Sequence, residues 1–156
     1  DLAVVFEPEL LTDFHILSVS KQPTYAIMSD SHPLAENTSL KLSDCLQYPL
    51  ALPTKEFGIR QILDKKANKA LYQLQPVIES DSCEFLRYEA SLGHCITFQI
   101  EVGLPKDLSF MNMKAVKIDE KDLPAGEVYV GHLKGRTLPV ASAKFAQQLV
   151  TSLEAD

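Results

Sequence analysis

Hydroxyl side chains at two expected strand-to-helix turns are the residues of this sequence best placed to do chemistry. Pro53-Thr54-Lys55-Glu56 leads from an apolar run into a helical pattern that begins at Phe57. The first N–H groups of a helix have no partner within it, and together with the helix dipole they favour an anion's oxygens. Two uses are therefore open to the Thr54 hydroxyl: capping the helix, or donating to a ligand oxygen. Ser80 and Ser82, at the next such turn, have the same two uses. Thr97, Phe98 and Gln99 follow Gly93 in a strand-like run, where they either line a cleft or belong to the core.

Other chemistries have less to stand on. His15, His32, His94 and His132 are scattered, and none falls in a metal-ligating spacing such as H-E-x-x-H. There is no G-x-S-x-G elbow for a serine nucleophile. Cys95 follows His94 directly, but neighbours on a strand point to opposite faces, the wrong geometry for a thiolate–imidazolium couple. Gly126, Gly131 and Gly135 are too sparse to cradle a phosphate. Neither enzymatic activity nor a cofactor is expected. Cys45, Cys83 and Cys95 are odd in number, widely spaced and without a C-x-x-C pair. That pattern fits a reducing cytoplasm and speaks against a structural zinc site.

Composition narrows the class further. The 156 residues are 46% hydrophobic and 23% charged, too apolar for wholesale disorder. The net charge is −6, and the densest group of cations is Lys65, Lys66 and Lys69, which reads as a solvated helix face. A duplex-binding surface needs several phosphate-neutralising cations on one face, so the chain is not expected to touch DNA itself. No apolar run is long enough to span a bilayer, and no signal peptide opens the sequence. The first residue is Asp1, and residues 2–6 already read as a buried strand, which suggests a fragment of something longer.

The elements that must position these residues follow from periodicity. Strands are expected over 2–6, 25–28, 49–52, 74–79, 95–100, 114–118 and 127–132. A first helix turns Phe57, Ile62, Leu63, Ala67 and Ala70 to one side; a second spans 82–92, with Gly93 as its stop. A third runs over 139–153, with Val140, Ala143, Phe145, Leu149 and Val150 inward. Alternating strands and helices from residue 49 predict a parallel-sheet α/β lobe with right-handed crossovers. The expected organisation is a partial first lobe and hinge over 1–48, a second lobe over 49–124, and a return strand with a C-terminal helix over 125–156. The chain crosses twice between two α/β lobes, the architecture of type 2 periplasmic-binding-protein folds, here with an incomplete first lobe.

The order of several short motifs resembles the effector-binding domain of LysR-type bacterial transcription regulators. They are His32-Pro33-Leu34-Ala35; Leu40, Leu42 and Asp44; Pro49-Leu50-Ala51-Leu52-Pro53; Gly58-Ile59-Arg60; Glu79-Ser80-Asp81-Ser82; Gly93 to Phe98; and Arg136-Thr137-Leu138-Pro139 with Phe145. Each is weak alone; their order spans nearly the whole chain. The resemblance departs at His94-Cys95, where the family usually has a second glycine, and at the absent first strand–helix units of the family's domain. It implies a small, anionic metabolite held in an interlobe cleft, with Thr54, Lys55, Ser80, Thr97 and Phe98 as effector-binding residues. It also implies a cytoplasmic protein that pairs as a dimer or tetramer, the Phe57 helix and the strand over 74–79 lending one half of the contact. DNA would be reached only through a helix-turn-helix outside this chain. An extracytoplasmic solute-binding protein of the same fold is the alternative, and an enzyme built on it a further one.

Overall fold

The computed structural model describes residues 2–7 and 12–154, and its chain forms two compact units, Asp1–Gln22 with Gly126–Asp156, and Pro23–Ala125. In chain order the strands are β1 (Ala3–Phe6), β2 (Phe14–Gln22), β3 (Thr24–Ser29), β4 (Ala51–Pro53), β5 (Ile78–Ser80), β6 (Thr97–Ile100), β7 (Met113–Lys117) and β8 (Gly126–Leu133). The helices are α1 (Leu42–Cys45), α2 (Gly58–Lys69), α3 (Cys83–Ser91) and α4 (Val140–Glu154).

The first unit is an antiparallel sheet in the order β1-β8-β2, with α4 packed on β2 and β8. Ala3 pairs with Gly131 and Phe6 with Val128, while Phe14 pairs with Leu133 and Gln22 with Gly126. The register of β2 slips between Ile16 and Ser18, leaving Leu17 as the extra residue of a bulge. Periodicity missed β2 for this reason: the bulge breaks the alternation of Phe14, Ile16 and Val19. Gly131 stands opposite, where a Cβ would meet the His15 carbonyl at 2.3 Å and the Phe14 ring at 2.6 Å. Only glycine lets the two strands close there.

On α4 the expected inward face needs correction. Ala146 is buried and Leu149, Val150 and Leu153 are half-buried, a stripe at i, i+3, i+4 and i+7. Phe145 lies about 100° round the helix from Ala146 and is 59% exposed. Val140 and Ala143 are exposed as well.

In the second unit β4 and β5 pair in parallel, Ala51 with Ile78 and Pro53 with Ser80. A parallel bridge from Leu50 to Ile96 carries the order on to β6. Next comes β3, antiparallel to both β6 and β7. The expected parallel lobe is therefore real, but β3 is an antiparallel strand within its sheet. That pairing moves the boundary: residues 25–28 were assigned to the first lobe, whereas the second unit begins at Pro23. Alternation divides the sheet's side chains between two faces. On one, Leu86 of α3 meets Ala51, Cys95 and partly buried Ile78. Leu52, Ile96 and Phe98, all fully buried, belong to the other, and α2 buries Ile59, Leu63 and Ala67 as it packs on β4 and β6.

Candidate functional site

The C-terminal edge of the β4–β5 pair gathers three of the expected site residues. The Thr54 N–H donates to the Ser80 carbonyl at 3.2 Å, and the Thr54 carbonyl accepts from the Phe57 N–H at 3.1 Å. A tight turn results, with Thr54 half-buried and Lys55 exposed. Helix α2 starts with Phe57 as its N-cap, and no side chain caps its first turn. Thr54 is therefore not the cap; its hydroxyl faces Glu56, and with the Glu56 amide it holds that carboxyl below its ordinary value. The β5–α3 turn is organised differently. Ser80 Oγ accepts from the Ser82 N–H at 3.1 Å, and Ser82 Oγ caps α3 by accepting from the Phe85 N–H at 3.2 Å. Of the two turns, α2 is the one whose first N–H groups no side chain covers.

Beneath this edge lies Arg60, 2% exposed although charged. Its Nη1 donates to the Pro53 carbonyl at 2.8 Å and to Glu79 Oε2 at 2.6 Å, and its Nε reaches both oxygens of Asp64 at 3.1 Å. One guanidinium thus ties α2 to the ends of β4 and β5, which fixes the loop carrying Thr54. The motif Gly58-Ile59-Arg60 does not by itself disclose this role. Its signal was a charge on the inward face, beside Ile59, with Asp64 four residues on.

Thr97 and Phe98 do not join the edge. Both are 1% exposed within β6, and the Thr97 hydroxyl is buried without a hydrogen-bond partner. They are core residues of the sheet, and their neighbour Gln99 accepts a hydrogen bond from Arg87 Nη1 at 2.9 Å. The strand pattern that marked them fits a buried strand equally well.

The thiols offer no nucleophile in the core. Burial, reinforced by Asp44, pushes Cys45 up to about 12, and burial with Glu89 pushes Cys95 up to about 11. His94 is exposed while Cys95 is buried, so the two do not form a couple. Among the described residues no cluster of three or more His, Cys, Asp or Glu side chains is arranged to hold a metal, and no helix is long and apolar enough to cross a membrane.

Two α/β units, one with parallel strands ending at an open helix N-terminus, define a ligand-binding domain of the type 2 periplasmic-binding-protein-like class. The chain belongs to the LysR substrate binding domain family, whose model matches residues 1–154, and is thus the effector-binding domain of a LysR-type transcription regulator. Solved structures agree in fold. The effector binding domain of QuiR in complex with shikimate is 22% identical, with a TM-score of 0.77 over 97% of this chain and 72% of that one. The Synechocystis PCC6803 CcmR regulatory domain in complex with 2-PG is 21% identical, with a TM-score of 0.81 over 98% and 73%. A reduced form of OxyR from N. meningitidis is 16% identical, with a TM-score of 0.76 over 97% and 72%. No curated protein matches the chain.

Proposed function

We propose that this domain senses a small anionic metabolite, and that Thr54, Lys55 and Ser80 form part of its site. The observation that carries the reading is the uncapped first turn of α2 beside Thr54, with exposed Lys55 the next residue in the chain. The QuiR and CcmR domains, solved with shikimate and 2-PG, favour a regulator's sensing domain over the solute-binding alternative. Binding without catalysis, in the cytoplasm, is the accompanying reading. Signalling to DNA runs through a separate helix-turn-helix, and self-association of sensing domains completes the assembly. Thr97 and Phe98 act on the site only by holding the sheet in shape.

Calorimetry with a panel of carboxylates and phosphates, shikimate and 2-PG among them, tests the class of ligand. For any anion that binds, Thr54→Val should weaken affinity by about 1–2 kcal/mol, the range for losing one hydrogen bond to a charged group. Thr97→Val is the counterpart. Removing a buried hydroxyl that has no partner should leave binding unchanged and raise stability by up to about 1 kcal/mol. Equal losses of affinity in both variants would move the site into the sheet; a panel in which only neutral ligands bind would end the anion reading.

A further inference from the structure

We propose that His15 and His132 form a two-histidine site for a divalent transition metal ion, which would clip β2 to β8. The two residues are far apart in sequence, yet the antiparallel register sets them directly opposite each other. Side chains opposite one another on adjacent strands share a face and have Cβ atoms about 4.5–5.5 Å apart. The imidazole centroids lie 5.0 Å apart with the rings tilted by 46°. Two imidazoles bound to one metal at ~2.0–2.1 Å, with a near-tetrahedral angle between them, also have centroids about 5 Å apart. The rings therefore stand at chelating separation without any movement of the strands.

The protonation pattern also suits a ligand. His132 Nδ1 lies 3.0 Å from the Leu133 carbonyl, an acceptor only, so this nitrogen carries the proton. The neutral ring then keeps its lone pair on Nε2, free for a metal, and the carbonyl holds the ring in that tautomer. His15 is exposed and His132 half-buried, so an ion can reach the pair from solvent. Lys134, the residue just past the end of β8, has its ammonium directed at the Thr12 carbonyl, 2.6 Å away. With only two protein ligands the remaining positions fall to water, and imidazole ligation selects zinc, nickel or copper over magnesium or calcium. The site lies beside the β2 bulge and Gly131, so a bound ion would brace the sheet where its register slips.

Calorimetric titration of the whole chain with Ni²⁺ and with Zn²⁺ tests this. The expected result is saturable one-to-one binding that also raises the melting temperature. His15→Ala and His132→Ala should each weaken binding by about tenfold or more, and the double variant little further, because either loss ends chelation. His94→Ala and His32→Asn should leave it unchanged. Both target side chains are solvent-accessible, so the single variants should fold, and His15→Gln and His132→Gln repeat the test with a polar replacement. Binding that survives either single substitution, or that disappears with His94→Ala, would overturn the site. So would a wild-type chain that shows no saturable binding up to roughly millimolar Ni²⁺.

Discussion

The two units bury their apolar residues very differently, although each is built on one sheet. In the second, Ala26, Ile27, Leu52, Leu63, Ile96 and Ile118 are wholly excluded from solvent, and strands β3 to β6 form a sheet on which α2 and α3 pack. In the first, Val128, Val130 and Ala146 are buried, while Val4, Ile16, Val19 and Leu133 are 41–55% exposed, and Val140 and Phe145 more so. Strands β1 and β2 each pair only with β8 among the described residues. One helix on three strands is too little cover: Leu17, Leu138, Ala143, Ala146 and Val150 line an open apolar hollow between β2 and α4. Packing in depth belongs to the second unit, and the first presents edges and apolar side chains of the kind that recruit a partner chain.

Substitution at matched apolar positions gives the largest expected effect. Leu63→Ala, at a fully buried position, should cost about 2–5 kcal/mol in urea titration. Phe145→Ser should change stability by about 0.5 kcal/mol or less, and should reduce self-association measured by light scattering. Hydrogen exchange would extend the test to the backbone, with amides of β3 and β6 outlasting those of β2 and β8. Equal protection in the two units, in a strictly monomeric chain, would erase the difference.

How much of this was legible in the sequence depends on whether the decisive contacts were local. Helices α2, α3 and α4 lie where periodicity put them, because helical spacing is written within a dozen residues. Their burial was harder. Phe145 was placed inward by its apolar character, yet α4 has only one sheet face to cover, and Ala146 lies nearer its centre. Strand β2 was invisible because a bulge disrupts its alternation. The assignment of β3 to the wrong lobe has a similar origin: strand partners are a non-local choice, and Tyr25 pairs with both Gln99 and Lys117. At the candidate site, the two turns bearing Thr54 and Ser80 were readable from strand-to-helix order. The Arg60 clamp was not, since it joins three elements through contacts up to nineteen residues apart.

A contrast between two helix ends in the second unit supplies the next prediction. Helix α3 is followed by Gly93 at φ +81°, whereas α2 is followed by Leu71 at φ +56°. Leu71 is 97% exposed, so no packing compensates for its left-handed backbone. The Tyr72 N–H closes the end by donating to the Ala67 carbonyl at 2.9 Å, which keeps Leu71 in that conformation. Leu71→Gly should therefore raise stability by about 1 kcal/mol, widening the gap between the units. A thermal melt with no upward shift would show that the α2 terminus unwinds at little cost.

Acid should narrow the gap, by the smallest margin. His32 packs edge-on against Tyr48, with ring centroids 4.5 Å apart, and its Nδ1 accepts the Leu34 N–H at 3.1 Å. Burial lowers its pKa below the ordinary 6.5, so the folded chain holds the ring neutral where the unfolded chain would already protonate it. A depressed folded value contributes stability that is fully present above about pH 6.5 and is lost as pH falls through the folded value. Protonation would also remove the lone pair that accepts from Leu34. His32→Asn keeps an acceptor near the Nδ1 position and cannot charge. Urea titrations from pH 7.5 to 5 should show wild-type stability falling more steeply than that of His32→Asn, with the two approaching each other at the acid end. Parallel pH profiles would mean that the loop after β3 opens before His32 is protonated, and that the second unit is less rigid there than its core.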